Sequence, residues 1–243
     1  MRDEDRVASG RHTVEHTAIV TGGTGGLGAA VVTRLLDDGW RVVVPWIAER
    51  ELERVERRPG LELVRADVTD AAEVETIVSA AAASDGAPLG GLVNLVGGFA
   101  MGGRIDETPV DEFERQFRLN LRPTYLMTQA ALKEMLANGG GAIVCVGTRA
   151  ALQPFKGAAG YIASKAAVIA FSQAVAVEYK DDSIRCNVIL PSVIDTPANR
   201  ASMPNADHER WVKPAEIATV ISHLLSPDAA VTSGATIPVY GRA

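Results

Sequence analysis

Residues 17–28 read TAIVTGGTGGLG. Thr17–Thr21 is a short run of β-forming residues, and from Gly26 to Leu36 apolar residues recur at helical spacing, stopping at Asp38-Gly39. The order is therefore strand, glycine turn, helix. Glycines such as Gly22, Gly26 and Gly28, with Thr24 and Leu27 among them, allow a sharp turn and a close backbone approach to a ligand. The helix that follows offers unpaired N–H groups and the positive end of its dipole to phosphate. A glycine-rich run alone is an ambiguous signal, equally readable as a flexible turn. Between a first strand and a first helix it points to a dinucleotide site.

Working outward, the alternation continues. Strand-like runs at Arg41–Trp46, Leu61–Arg65, Gly91–Val96, Ala142–Gly147, Ile184–Leu190 and Ala235–Val239 are separated by helical patterns. These lie at Glu49–Arg57, Ala71–Ala83, Val110–Ala137, Gly160–Tyr179 and Pro214–Leu225, with Pro123 set to kink the longest of them. Strands alternating with helices imply βαβ units, and continuously apolar strands imply burial on both faces. The expectation is an α/β, Rossmann-type, doubly wound sheet of seven parallel strands with helices on both faces. No shift in composition divides the chain, so residues 15–243 read as one dinucleotide-binding catalytic domain. Residues 1–14 read as a polar, disordered tail.

Composition narrows the function classes. Hydrophobic residues make up 47% and charged residues 22% of 243, ordinary globular usage that excludes bulk disorder. A net charge of −6 with no basic block excludes nucleic-acid and membrane-surface partners. No apolar run reads as a membrane span, and the first residues lack a signal-peptide core. Cys145 and Cys186 read as reduced, buried thiols, which places the chain in the cytoplasm. No His/Cys/Asp set has metal-ligand spacing, so no metal is expected; His208 and His223 read as solvated or structural.

Tyr161 and Lys165 are four apart in a predicted helix and so share a face. An ammonium beside a phenol favours phenolate, which would make Tyr161 a proton donor or acceptor near neutral pH. In isolation the same pair reads as a surface contact.

The spacing Gly22-x3-Gly26-x-Gly28 resembles the TGxxxGxG signature of the short-chain dehydrogenase/reductase family, and further matches follow in that family's order. Asp67-Val68 stands where the family contacts adenine. Asn94-Leu95-Val96-Gly97 takes the place of its NNAG segment, and Asn120 that of its helical Asn. Tyr161-Ile162-Ala163-Ser164-Lys165 matches YxxxK. Pro191-Ser192 stands at its PG, with Ile194-Asp195-Thr196 as the nicotinamide-amide segment. Thirteen residues before Tyr161, where the family has Ser, this chain has Thr148, which keeps the hydroxyl and adds a methyl.

The resemblance implies a hydride transfer between a nicotinamide and a carbonyl or carbinol carbon. Tyr161 would exchange the proton, Thr148 hold the oxygen, and Lys165 bind the nicotinamide ribose. Asn120 would hold a relay water, or else satisfy backbone groups freed near Pro123. It further implies a homo-oligomer, a tetramer or dimer.

The cofactor is NADP or NAD. The second strand ends at Trp46 without the carboxylate that selects NAD, and Arg50 or Arg54 could reach a 2′-phosphate, which tilts the reading toward NADP. Trp46 could stack on adenine or cover the sheet edge. Substrate contacts are expected from 97–105, 149–160 and a lid at 197–212. Parts of the first and last resemble dihydropteridine reductase, which adds a quinonoid heterocycle to the conventional ketone or 3-oxoacyl substrate. A catalytically weak NAD(P)-binding sensor is the other alternative.

Overall fold

The computed structural model describes residues 16–84 and 86–242, so the expected tail at 1–14 lies outside the described residues. Seven parallel strands form one sheet: β1 (Thr17–Thr21), β2 (Arg41–Trp46), β3 (Leu61–Arg65), β4 (Leu89–Asn94), β5 (Gly141–Val146), β6 (Ile184–Pro191) and β7 (Thr236–Val239). Their order across the sheet is β3-β2-β1-β4-β5-β6-β7. The order reverses between β1 and β4, the crevice where a doubly wound sheet binds its ligand.

The helices are α1 (Gly28–Asp37), α2 (Ala71–Ala82), α3 (Val110–Asn120), α4 (Arg122–Ala137), α5 (Ala159–Glu178), α6 (Pro197–Ser202) and α7 (Pro214–Leu225). They cover both faces. Val31, Leu35, Ile217 and Ile221 from α1 and α7 pack on one face with Val20, Val42 and Val144. Ile77, Met127, Met135 and Val168 from α2, α4 and α5 pack on the other with Ile19, Leu92 and Ile143. Alternate residues of one strand thus serve opposite layers. A truncation such as Ile143→Ala would remove contacts worth about 2–5 kcal/mol.

Three expectations are corrected by the structure. The single helix expected over Val110–Ala137 is two, joined at Leu121. Pro123 has no N–H, and the Thr124 hydroxyl takes the Asn120 carbonyl at 3.0 Å, so the axis breaks and a new helix starts. The helical stretch expected at Glu49–Arg57 is a 3₁₀ segment, Glu49–Arg54, with no buried residue to give it an apolar stripe. Finally, α5 is, by length and composition alone, apolar enough to cross a membrane, contrary to the sequence reading. Within the fold it packs against β6 and α3, with Ser164, Lys165, Ser172 and Val175 buried.

Candidate active site

The glycine turn after β1 is shaped by two backbone demands. Gly22 has φ +67°, a conformation that favours glycine, and a Cβ at Gly28 would collide with the Gly22 carbonyl oxygen. Both glycines therefore keep the turn tight against the start of α1. No side chain caps that start, and its first turn holds no acid. The N–H groups and the positive end of α1 are thus left facing the crevice, as an anion requires.

Two residues that sequence reading passed over organise this turn. The Thr21 hydroxyl accepts from the N–H of Leu95 at 3.0 Å and of Val96 at 3.3 Å, which pulls the chain after β4 away from the sheet. That is why β4 ends at Asn94 and not at Val96. Glu51, in the segment after β2, accepts from the buried Thr24 hydroxyl at 2.8 Å. An acid 25 residues past Gly26 was the available signal, obscured by the charged run around it.

The remaining positions expected to hold a cofactor lie at or just after the C-terminal ends of β2, β3, β4 and β6. Trp46 ends β2, half-buried, and its register partner is Arg65. Asp67 folds back on its own turn, accepting from the Thr69 N–H at 2.8 Å and its hydroxyl at 2.7 Å, while Val68 is buried. The Asn94 side chain points away into the helix layer, donating to the Thr128 hydroxyl at 3.1 Å. Gly97 sits so close to the site that a Cβ would lie 2.6 Å from Asn120 Oδ1 and 3.1 Å from Lys165 Nζ.

Pro191 closes β6, and Ile194 bridges to Val212. Thr196 caps α6, accepting from the Asn199 N–H at 3.2 Å, and its methyl lies 3.0 Å from where a Gly26 Cβ would be. The segment after β6 thus folds down over the glycine turn. Leu27 packs into the layer beneath.

Thr148, Tyr161, Lys165 and Asn120 come from three elements. Thr148 follows β5 and its hydroxyl accepts from the Ala150 N–H at 3.3 Å, capping a short 3₁₀ turn. Tyr161 and Lys165 lie one turn apart on α5. Gly160 lets α3 approach, since a Cβ there would meet the Phe113 Cα at 3.3 Å. Asn120, at the break between α3 and α4, accepts from the Gly98 N–H at 2.9 Å and donates to the Ser164 hydroxyl at 3.0 Å. The Thr124 hydroxyl donates to the Asn120 carbonyl, while the Asn120 side chain is engaged by Gly98 and Ser164.

The electrostatics differ from the sequence expectation. Burial raises the Tyr161 phenol above its ordinary value, while the neighbouring Thr148 hydroxyl pulls it down. Lys165 does not lower it in this arrangement, because its ammonium donates to the Val146 carbonyl at 2.8 Å. Only 6% of Lys165 is exposed, and burial lowers its pKa to about 8. The Tyr161 ring itself is covered edge-on by Phe99, centroids 5.0 Å apart, and Phe99 lies 6.3 Å from Phe155. Among the described residues no three His, Cys, Asp or Glu side chains gather as a metal site.

The chain is similar to known proteins along nearly its whole length. The family model for short chain dehydrogenase matches residues 16–207. A 2-(R)-hydroxypropyl-CoM dehydrogenase of Xanthobacter autotrophicus is 32% identical over 94% of this chain and 98% of its own. The 3-oxoacyl-[acyl-carrier-protein] reductase MabA of Mycobacterium tuberculosis is 33% identical over 94% and 92%. Among solved structures, a short-chain type dehydrogenase/reductase from Mycobacterium ulcerans superimposes with a TM-score of 0.87 at 27% identity, covering 95% of this chain and 90% of that one. A levodione reductase gives 0.85 at 28%, covering 94% and 97%. The protein described here belongs to the short-chain dehydrogenase family, and it is an NAD(P)-dependent oxidoreductase that interconverts carbonyl and alcohol groups.

Proposed function

We propose that Tyr161 is the proton donor in carbonyl reduction and Thr148 the donor that holds the reacting oxygen. The observation that supports this is the hydrogen-bonding approach of the Thr148 hydroxyl to the Tyr161 phenol, with Lys165 one turn further along α5. A bound NAD(P)H supplies the hydride at its nicotinamide C4. Tyr161 delivers its phenolic proton to the carbonyl oxygen as charge builds there. Thr148 donates a hydrogen bond to the same oxygen. Lys165 would hold the nicotinamide ribose, and Asn120, fixed by Gly98 and Ser164, positions the helix turn that carries both. In the alcohol-oxidising direction the proton moves the other way.

We infer NADP as the preferred form. No carboxylate stands at Trp46, and Arg50 and Arg54 are exposed in the segment that follows. Apolar side chains left exposed on α3, α4 and α5, namely Val110, Phe113, Tyr125, Leu136 and Val177, support a homo-oligomer built on these helices. A single 26 kDa-class species in light scattering would overturn it. The two free buried thiols, Cys145 and Cys186, suit a reducing compartment such as the cytoplasm.

The test of the main reading is NAD(P)H oxidation across ketones, diketones, 3-oxoacyl thioesters and quinones. Turnover of at least one class is expected. Tight cofactor binding with no turnover anywhere would favour a nucleotide sensor. The exposed Phe99 beside Tyr161, with Phe155 next to Phe99, favours a second reading, a planar quinonoid heterocycle, which quinonoid dihydropterins in the same panel would reveal.

A further inference from the structure

Beyond Thr148 the sheet edge holds a second hollow that the proton and hydride chemistry does not use. Arg149, Asp207, Arg210 and Trp211 line a shallow, solvent-open hollow of about 350 Å³. Arg149 follows Thr148 directly, and its guanidinium lies over the Tyr240 ring, 5.5 Å from the centroid. Tyr240 follows β7, two strands from β5, so the Arg149 side chain reaches across the C-terminal end of β6. Arg210 and Trp211 are brought to this edge by the chain after β6. There the Asp195 N–H donates to the Val212 carbonyl at 2.9 Å and the Val212 N–H to the Val193 carbonyl at 3.2 Å. The hollow therefore opens at the edge where Thr148 stands and where Thr196 folds over the glycine turn.

Its charge is unbalanced. Neither arginine joins an ion pair among the described residues. Arg210 is anchored by Nε and Nη2, both donating to the Arg242 carbonyl at 3.2 Å, which leaves Nη1 uncommitted. The one acid in the lining, Asp207, already accepts from the Glu209 N–H at 3.2 Å. Asp195, nearby in the chain, is gripped by Arg200 through both carboxylate oxygens. Two arginines thus share the lining with one carboxylate, with the buried indole of Trp211 as an apolar wall.

We propose that this hollow is an anion subsite for an acidic group carried by the substrate, so that the enzyme acts on carbonyl compounds bearing a carboxylate or a comparable oxyanion. The proposal rests on the reading that Thr148 and Tyr161 hold the reacting oxygen. Guanidinium is suited to the task, since its planar fork pairs bidentately with oxyanions.

The test uses matched probes, 4-oxocyclohexanecarboxylate and 3-oxobutanoate against their methyl esters, binding to the enzyme with NADPH. Each acid is expected to bind about tenfold or more tightly than its ester. Arg149→Gln and Arg210→Gln should each bring that ratio toward one, while Arg149→Lys retains part of it; NADPH affinity reports whether each variant is folded. Equal affinity of acid and ester for the unaltered enzyme, absence of binding included, overturns the subsite, as does an unchanged ratio in both Gln variants. Turnover separates the two claims. Selective acid binding without reduction leaves the subsite standing and removes the reductase scheme, whereas reduction without acid preference does the reverse.

Discussion

The side-chain amide of Asn120 donates to the hydroxyl of Ser164 at 3.0 Å, and this bond ties the break between α3 and α4 to the turn of α5 that bears Tyr161 and Lys165. Ser164 in turn donates to the Tyr161 carbonyl at 2.8 Å. The kink that Pro123 introduces thereby becomes part of the site's alignment.

Asn120→Ala should therefore lower kcat by about tenfold or more and destabilise the protein by about 1–3 kcal/mol, since it strands the Gly98 N–H. Ser164→Ala keeps the Gly98 bond and should cost less on both counts. Urea midpoints and single-turnover rates on the two variants check this. Equal effects would show that the Gly98 bond is irrelevant.

Tyr161→Phe removes the proposed acid and keeps the ring packed against Phe99. Turnover should fall by about 10²–10⁴, the usual worth of a positioned general acid, with the NADPH dissociation constant little changed. Stopped-flow NADPH oxidation measures the first and fluorescence titration the second. Retained turnover would assign the proton to another group.

Lys165 gives a signed pH dependence. Its folded value of about 8 lies below the ordinary 10.5. Between those values the unfolded chain binds more protons than the folded one, so this group's contribution to stability rises as pH rises through that window, by on the order of 3 kcal/mol in all. Relative to Lys165→Met, the unaltered protein should gain stability from pH 7 to pH 10 in denaturant titrations; a constant difference would contradict the burial argument. Carbonyl reduction should weaken over the same range, as the ammonium that would hold the nicotinamide ribose is lost.

Glu51 holds Thr24 on the glycine turn by accepting from its hydroxyl. Glu51→Gln keeps an acceptor and removes the charge. Affinity for NADPH relative to NADH should then rise by roughly fivefold, about 1 kcal/mol of relieved repulsion against the 2′-phosphate. Arg50→Ala should shift the ratio the other way. Paired dissociation constants for the two nucleotides decide it, and no shift in either variant would place the phosphate elsewhere.

The sheet was legible in the sequence because local pattern determines it. β2, β3 and α7 fall on the residues expected, bounded by Gly39, Gly60 and Pro214, since apolar runs and breakers act over a few positions. The glycine turn and the Tyr161–Lys165 spacing were legible for the same reason. What stayed hidden is long-range. Thr21 meets Leu95 across 74 positions, and Thr24 meets Glu51 across 27. The orientation of the Lys165 ammonium toward Val146 and the burial that raises the Tyr161 phenol are properties of the packed layers, so spacing alone assigned that phenol the wrong direction.

Gly97 has a further consequence. A Cβ there would clash with the Asn120 side-chain oxygen and crowd the Lys165 ammonium. A larger residue at this position would have to displace groups of the site, so the root of the loop is the crowded part and its outer portion the free one. Within this loop, room for new substrate preferences begins at Phe99, whose ring packs against Tyr161 while much of it stays exposed.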